Sequence, residues 1–293
     1  MLSHSAHTEQ GAREYQEDRH AVINVADNIT LAVVCDGHGG DACSDASIKH
    51  FVARFQSVYK DKVERNIRPN IICLLRNVVE DTVLQWDRKS LGVRAMNKIY
   101  DNPQQATRDA IFARQSKKAL RAYVAQGLDA GTTLSACVID LNLMKIHTIN
   151  LGDSRTVICN DQSVISTMDH SVNLATAQRR GIPVQDGRVA GELAMMAAIG
   201  DNTDTLAGLV SRRCGSNTVK ITGNSQIILG SDGFFDVAEQ STYTTTATAF
   251  ELIAEARPEG GEYDDNVTVI CLQVTFDTEH NDLSAMVDDM SIG

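Results

Sequence analysis

The stretch VVCDGHGG at residues 33–40 decides the fold of this 293-residue chain. It joins the end of an apolar run, which begins at Leu31, to an aspartate, a histidine and three glycines. A short continuous apolar run predicts a buried strand, and the glycines that follow it predict a tight turn. The charge of Asp36 is therefore expected beside the hydrophobic core, where a carboxylate is costly unless something compensates it.

Four other segments also place acids beside glycines or at the ends of apolar runs. Each segment taken singly is typical of a turn, a hairpin, a solvated strand edge or a loop cap. Carboxylates at strand ends can also converge on one site, where Mg²⁺ and Mn²⁺ find the oxygen ligands that they prefer. The segments are Glu17-Asp18, Gly152-Asp153, Ser231-Asp232-Gly233 with Asp236, and Asp264-Asp265-Asn266.

The hydrophobic pattern around these acids predicts an α+β protein. Apolar residues spaced by three and four predict helices over 48–59 and 71–86, with further helices over 104–126 and 245–257. Residues 266–274 are apolar on both faces, as expected of a strand inside a covered sheet. The other predicted strands span 2–8, 19–25, 31–35, 132–139, 144–151, 154–159, 163–167, 217–221 and 226–231.

The composition limits the classes of function that the chain can have. With 43% hydrophobic and 22% charged residues it is typical of a soluble globular protein. No apolar run approaches the ~18 residues of a membrane span, and a net charge of −11 disfavours a nucleic-acid partner. Seven cysteines without a CxxC pair predict reduced core thiols and disfavour a disulfide framework or a zinc site.

Taken in order, these segments resemble the motifs of the protein phosphatase 2C (PPM) family over about residues 3–274. GAREYQEDRH (11–20) is similar to the first motif, VVCDGHGG to the Asp-Gly-His-Gly-Gly signature, and LGDSR (151–155) to a later motif. The segments DAGTTLSACVI, MDH, GELAMMAAIGD, ILGSDGFFDV and YDDNVTVICLQV take the expected places among them. The resemblance implies two antiparallel β-sheets that form a central sandwich flanked by antiparallel helices, in α-β-β-α layers.

The resemblance also implies hydrolysis of phosphoserine and phosphothreonine in proteins by water activated between two Mg²⁺ or Mn²⁺ ions. Asp36 resembles the aspartate that bridges both metals. Glu17 and the backbone carbonyl of Gly37 would complete the protein ligands of one metal. Asp232 and Asp265 would hold the other metal.

Further site roles follow from the same resemblance. Asp153 and Asp236 would hold a weaker third metal, and Asp18 would orient a metal-bound water. Arg13 would bind the substrate phosphate through a bidentate fork that lysine lacks, and His38 would act as general acid. The sequence has no Cys-x5-Arg loop, so we predict direct attack by water and no phosphocysteine intermediate.

Three departures from the family pattern bear on selectivity. Met196 and Ala197 stand where the family usually has a Ser-Arg pair, so we expect altered pairing around Asp201 and little loss of catalysis. Residues 87–110 are longer than the usual connection between the helices, and they form either a docking element or a solvated helix or loop. A flap that shapes substrate access is predicted at about 171–216, and its last part lacks the usual proline-containing stretch.

We predict a single catalytic domain over residues 1–276, followed by an acidic, flexible tail at 277–293. The strand pattern begins almost at Met1 without a signal-peptide pattern, which favours the cytoplasm, with the nucleus as a further location. The expected state is a monomer, and the expected partners are phosphorylated protein substrates, without nucleic acid or membrane.

Two other functions remain open from the sequence. A catalytically silent regulatory protein on the same fold would be expected to have lost metal ligands, whereas every predicted ligand side chain here is an acid. A metal-dependent phosphoesterase acting on small molecules would keep these ligands and differ in pocket shape. A calcium-binding module is disfavoured because the acids are too dispersed for an EF-hand loop.

Overall fold

The computed structural model describes residues 1–100, 129–160, 163–203, 205–206, 208–243 and 246–276. Its helices are α1 (Ala42–Glu64), α2 (Ile71–Tyr100), α3 (Leu174–Arg180), α4 (Asp232–Phe235) and α5 (Ala249–Glu255), with a 3₁₀ turn at Gln240–Thr242. Its strands are β1 (Leu2–Glu9), β2 (Arg19–Ala26), β3 (Ile29–Cys35), β4 (Gly37–His38), β5 (Gly131–Thr132), β6 (Leu134–Asp140), β7 (Lys145–Leu151), β8 (Arg155–Asn160), β9 (Ser163–Ser166), β10 (Val184–Gln185), β11 (Arg188–Val189), β12 (Ile199–Gly200), β13 (Gly215–Lys220), β14 (Ser225–Gly230) and β15 (Val267–Val274).

Two five-stranded antiparallel sheets form the centre of the fold. We call them the β1 sheet, with strand order β1-β15-β14-β8-β9, and the β3 sheet, with order β13-β7-β6-β3-β2. Short pairings of β12, β5 and β4 form a smaller sheet beside them. The predicted α+β sandwich is therefore confirmed. None of the helices within the described residues is both long and apolar enough to cross a membrane.

Strand β3 shows how the layers are held together. All seven of its residues are buried, and successive side chains point to opposite faces of the sheet. Leu31 and Val33 pack with α1 and α2, including the fully buried Trp86. Ala32 and Val34 pack against the apolar inner face of the β1 sheet. A third apolar cluster lies between the β1 sheet and helices α4 and α5, which completes the α-β-β-α order.

Antiparallel pairing brings the acid-bearing segments to one end of both sheets. In such a pair, the end of one strand lies beside the start of its neighbour. Arg19 at the start of β2 pairs with Cys35 at the end of β3, so Asp18 and Asp36 are adjacent. In the β1 sheet, Gly230 at the end of β14 pairs with Val269 near the start of β15. The segments that carry Asp232 and Asp265 therefore meet as well.

The predicted flap contains an apolar cluster of its own. Helix α3 and the β10–β11 hairpin lie in this region, and the hairpin turns through Asp186 and Gly187, which both have positive φ. Met196 is buried in the cluster, so it contributes packing where the family usually has a serine. The buried members of the cluster are Ala177, Ile182, Val189, Leu193, Met195, Met196, Ala198, Leu206 and Val210.

The elements differ from the predicted bounds in a few places. The helix predicted over 71–86 continues to Tyr100, so the first part of the 87–110 insertion is helical and continuous with α2. The helix predicted over 245–257 is shorter, because Thr248 caps it and the regular turns end at Glu255. The predicted helix over 104–126 and the predicted tail at 277–293 lie outside the described residues.

The capping box of α5 predicts a measurable loss of stability. Thr248 Oγ1 accepts a hydrogen bond from Glu251 N, and the Glu251 carboxylate accepts one from Thr248 N at 2.7 Å. Loss of such a cap costs about 1 kcal/mol, so we expect Thr248→Ala to lower the free energy of unfolding by about that amount in urea denaturation. The exposed Thr246→Ala is the matched control, and an equal effect of both variants would contradict a specific capping role.

Candidate active site

A cavity of about 350 Å³ lies at the end of the sandwich where the acids meet. Its wall on the sandwich side comes from segments that follow or precede strands, and its opposite wall comes from the predicted flap. The residues that line it are Arg13, Asp36, Gly37, His38, Gly39, Asp153, Arg188, Glu192, Leu193, Ala194, Met195, Asp232 and Asp265.

Three aspartate carboxyls are crowded together at the base of this site. Asp36 lies near both Asp18 and Asp232, close enough for each charge to act on the next. Burial raises the pKa of Asp36 well above its ordinary value, and the charges of Asp18 and Asp232 raise it further. Burial also raises the pKa of Asp18 to about 6. Such crowding indicates that a positive charge belongs among these carboxylates.

Asp153 and Asp265 extend the acidic cluster along the cavity. Burial raises the pKa of Asp153 to about 7, and the nearby charge of Asp232 adds to the effect. Burial raises the pKa of Asp232 as well, and the charge of Asp265 contributes to that shift. Each of these carboxylates therefore acts on its neighbour, although the chain positions are more than a hundred residues from Asp36.

Glu17 is buried beside Gly37, in a position that leaves no room for a side chain there. Glu17 Oε1 accepts a hydrogen bond from Gly40 N at 2.5 Å, and its backbone oxygen accepts one from Ser44 Oγ at 2.6 Å. A Cβ added at Gly37 would lie 2.7 Å from that backbone oxygen. Glycine therefore lets the backbone at position 37 approach the acidic cluster closely.

The residues present fit hard divalent cations. Asp18 Oδ1 and Asp153 Oδ1 are buried and lack a hydrogen-bond partner within the described residues, although buried polar atoms are normally satisfied. The donors are all oxygen atoms, which Mg²⁺ and Mn²⁺ prefer. Within the described residues, no group of three or more His, Cys, Asp or Glu side chains is already placed to hold a metal ion. Asp265 is instead paired with Arg13.

His38 faces a buried aspartate across the rim of the cavity. Its Nε2 lies 2.7 Å from Asp201 Oδ1, and Asp201 Oδ2 has no partner within the described residues. Gly131 makes room for the pair, because a Cβ there would lie 2.2 Å from His38 Nε2. Partial burial lowers the pKa of His38, but the hydrogen bond and charge of Asp201 outweigh it, so the pKa lies above its ordinary value.

A family model described as protein phosphatase 2C matches residues 2–254, which is most of the chain. The chain belongs to the protein phosphatase 2C family. One similar protein is "Probable protein phosphatase 2C 2" of Paramecium tetraurelia, which is 27% identical over 201 residues, or 66% of this chain and 56% of that protein. Another is the integrin-linked kinase-associated serine/threonine phosphatase 2C of Bos taurus, which is 25% identical over 259 residues, or 78% and 59%.

The chain spans little more than half the length of these curated relatives. Among solved structures, it is similar to the catalytic domain of the serine/threonine protein phosphatase PstP in complex with 2 manganese ions, with a TM-score of 0.57 and 19% identity over 94% of this chain and 99% of that one. It is also similar to a C. elegans sex determining protein, with a TM-score of 0.67 and 22% identity over 93% and 64% of the two chains. At these identities the similarity shows the fold.

In this phosphatase 2C chain, the surroundings of two predicted site residues, Arg13 and Asp236, differ from those that their predicted roles imply. Arg13 lies at the rim, where its Nη2 donates to Asp265 Oδ2 at 2.5 Å and its Nε donates to Asp264 O at 3.3 Å. Asp236 is exposed one helical turn after Asp232 and does not line the cavity. The other predicted residues either line the cavity or, like Glu17 and Asp18, are buried against its wall.

Sequence reasoning missed the residues that hold the predicted ones in place. Ser231 Oγ donates to Asp18 Oδ2 at 2.8 Å, and Thr268 N donates to Ser231 Oγ at 3.0 Å. Asp201 was expected to show altered pairing, whereas its contact with His38 was not foreseen. The motif ILGSDG contained a signal for Ser231, since a hydroxyl between a buried strand and an aspartate requires a partner.

The raised carboxyl pKa values predict how the stability of the metal-free protein depends on pH. An aspartate has a pKa near 4 in an unfolded chain, whereas burial raises the values to about 6 for Asp18 and about 7 for Asp153. Their contribution to stability is therefore full below about pH 4 and is lost as the pH rises through about 6 to 7. We expect the melting temperature in EDTA to fall by at least about 4 °C between about pH 5 and pH 8.

An Asp36→Asn variant tests whether this loss comes from the cluster. Removing one buried charge should make the fall in melting temperature smaller than in the wild type, and Mn²⁺ should then raise the melting temperature less. Asp27→Asn, in the exposed turn between β2 and β3, is the matched control. Identical curves for Asp36→Asn and Asp27→Asn would contradict a shared acidic cluster.

Proposed function

We propose that this chain hydrolyses phosphoserine and phosphothreonine esters in proteins, with two Mg²⁺ or Mn²⁺ ions as cofactors. One observation carries the proposal: acids from distant segments converge on a single cavity that also contains a histidine and an arginine. Membership of the phosphatase 2C family and relatives named as serine/threonine phosphatases support the same class of reaction. The neighbour in complex with 2 manganese ions supports the choice of cofactor.

The acidic cluster is proposed to hold the cations. Asp36 lies at its centre and would contribute to both ions, with Glu17 and the Gly37 carbonyl on one side and Asp232 and Asp265 on the other. Bound there, two divalent cations supply an activated water and positive charge beside the phosphoryl group. Phosphate monoesters hydrolyse so slowly in water that both contributions are required.

Asp18 is proposed to orient the attacking water from behind the cluster. Ser231 fixes one of its carboxylate oxygens, which leaves Oδ1 free to accept a hydrogen bond. Asp153, which lines the cavity, likewise has one buried oxygen, Oδ1, without a partner within the described residues, and this oxygen is available to an additional ligand. These two orphaned atoms are the positions where bound water is expected to be held.

His38 is proposed to be the general acid. As water attacks phosphorus, the bond between phosphorus and the serine or threonine oxygen breaks, and that oxygen needs a proton to leave as a hydroxyl group. His38 lies in the cavity wall with its ring held by Asp201, whose negative charge favours the protonated form. The products are inorganic phosphate and the free side chain, so the atoms of ester and water balance.

Arg13 is proposed to bind the phosphoryl oxygens. Its side chain is 51% exposed at the rim, so its guanidinium can turn toward a substrate. In the structure it pairs with Asp265, a carboxylate that a cation would otherwise neutralise. Cation binding at Asp265 and phosphate binding at Arg13 are therefore expected to favour each other, because each relieves the other residue of its present partner.

The first test measures metal-dependent release of phosphate from a phosphothreonine peptide and from small phosphate esters. We expect activity with Mn²⁺ that EDTA abolishes and that favours the peptide. Asp36→Asn should lower kcat/KM by at least the ~100-fold that loss of an outer-sphere partner can cost at a metal site, while Asp27→Asn should retain wild-type activity. Substantial Asp36→Asn activity at saturating Mn²⁺ would contradict its central role, and preference for small esters would contradict a protein substrate.

The second test examines His38 through the leaving group. His38→Gln should lower kcat about 10²-fold or more on an alkyl phosphate such as phosphothreonine, because a poor leaving group depends on the general acid. An aryl phosphate has a good leaving group and should lose much less activity. The matched control is His20→Gln in strand β2, outside the cavity lining. Equal losses on both substrates would remove His38 from the role of acid.

A further inference from the structure

Arg212 contacts the backbone before Asp201 and the side chain of the residue after it. Its Nη1 donates to Ala198 O at 2.7 Å, and its Nη2 donates to Gly200 O and to Asn202 Oδ1, the latter at 3.1 Å. A planar guanidinium presents several donors in a fixed geometry, which suits contacts with several acceptors at once. One side chain therefore holds the segment that carries the aspartate facing His38.

Asn202 connects this segment to helix α2. Its Nδ2 donates to Asp87 Oδ1 at 2.8 Å and to Ser90 Oγ at 2.7 Å. Arg212 Nε lies 3.7 Å from Asp87 Oδ2, which closes the network. Asn202 and Ser90 are buried, so these polar groups depend on one another for hydrogen bonds.

The backbone at Asp201 is in a conformation that needs such support. Its φ is +51°, and Gly200 before it has a φ of +89°. A non-glycine residue with positive φ is uncommon and persists when its surroundings hold it there. Packing on the other side is close, since a Cβ at Gly200 would lie 2.3 Å from Ala130 O. The strained turn is thus held between Ala130 and Arg212.

We propose that Arg212 is a positioning residue for His38 and that it acts through the backbone around Asp201. The inference rests on the proposed function, in which His38 is the general acid. The Asp201 carboxylate contacts His38 through Oδ1, and its Oδ2 has no partner within the described residues, so the position of the carboxylate depends on its backbone. Residues 191–201, with Met196 and Ala197 in their interior, contain no arginine. The guanidinium that contacts this segment comes from position 212 instead.

The network also assigns a role to the part of α2 that begins the insertion predicted at 87–110. Asp87 and Ser90 lie one turn or less beyond the buried Trp86 and contact Asn202 directly. Helix α2 thereby forms part of the support of the general acid, although neither residue lines the cavity. A shift of about 1 Å in a reacting group can cost about 100-fold in rate, so support at this distance affects catalysis.

The test compares Arg212→Met with Arg213→Met, an exposed neighbour that loses the same charge. Arg212→Met should lower kcat about 10-fold or more on a phosphothreonine peptide and at most about 3-fold on an aryl phosphate, because only the poor leaving group needs a well-placed acid. The Mn²⁺ concentration for half-maximal activity should not change. Arg213→Met should behave as the wild type. Equal losses on both substrates would overturn the positioning role.

A double-mutant cycle with His38→Gln makes the test specific. If Arg212 acts through His38, Arg212→Met should add little to the loss that His38→Gln already causes on the peptide. Losses that multiply would overturn the proposal. Arg212→Lys keeps the charge and the aliphatic stem, so it is the variant to use if Arg212→Met does not fold, and it should show the same substrate-dependent loss to a smaller degree.

The same series separates this inference from the proposed function. Absence of metal-dependent hydrolysis by the wild type would overturn both. Wild-type hydrolysis together with equal effects of His38→Gln on the two substrates would overturn the acid role of His38 and, with it, the role of Arg212. Wild-type hydrolysis with a substrate-dependent loss in His38→Gln but not in Arg212→Met or Arg212→Lys would overturn the positioning role alone.

Discussion

Repulsion among buried carboxylates is the constraint on which the site depends. Asp18, Asp36 and Asp232 are buried close together, where three negative charges cannot coexist without compensation. Without a cation, the repulsion is reduced because the acids have raised pKa values, which favour their neutral forms, and because Asp265 is paired with Arg13. The hydrophobic layers stabilise the sandwich strongly enough to keep the acids together, and the energy of that repulsion is available to a cation that relieves it.

Antiparallel strand pairing explains why these acids meet. Each acid either follows a strand or precedes one, and alternation of strand direction brings both kinds of position to the same end of a sheet. Two sheets packed face to face then place their acid-bearing ends side by side. Glycines complete the arrangement only where the backbone approaches closely, as at Gly37 and Gly131, where a Cβ would collide with Glu17 O or His38 Nε2.

Much of this arrangement could be predicted from the sequence, because it follows from local patterns. The apolar run before Asp36 and the doubly apolar 266–274 segment determined which strands are buried, and ordered motifs identified the family. The support of His38 could not be predicted. Asp201, Asn202 and Arg212 come from irregular backbone, and the contacts of Asn202 and Arg212 with α2 depend on tertiary packing that no periodicity encodes. Likewise, the pairing of Arg13 with Asp265 reflects electrostatics that appear only once both residues are in place.

The pairing of β1 with β15 has a consequence for biosynthesis. Leu2 pairs with Val274 and Glu9 with Val267, so β1 cannot join its sheet during synthesis until β15 has been made. Contacts of such long sequence separation slow folding. Asp265 lies two residues before β15, so the acidic cluster is complete only once this part of the chain has been translated. A nascent chain halted before Asp265 therefore carries an incomplete cluster.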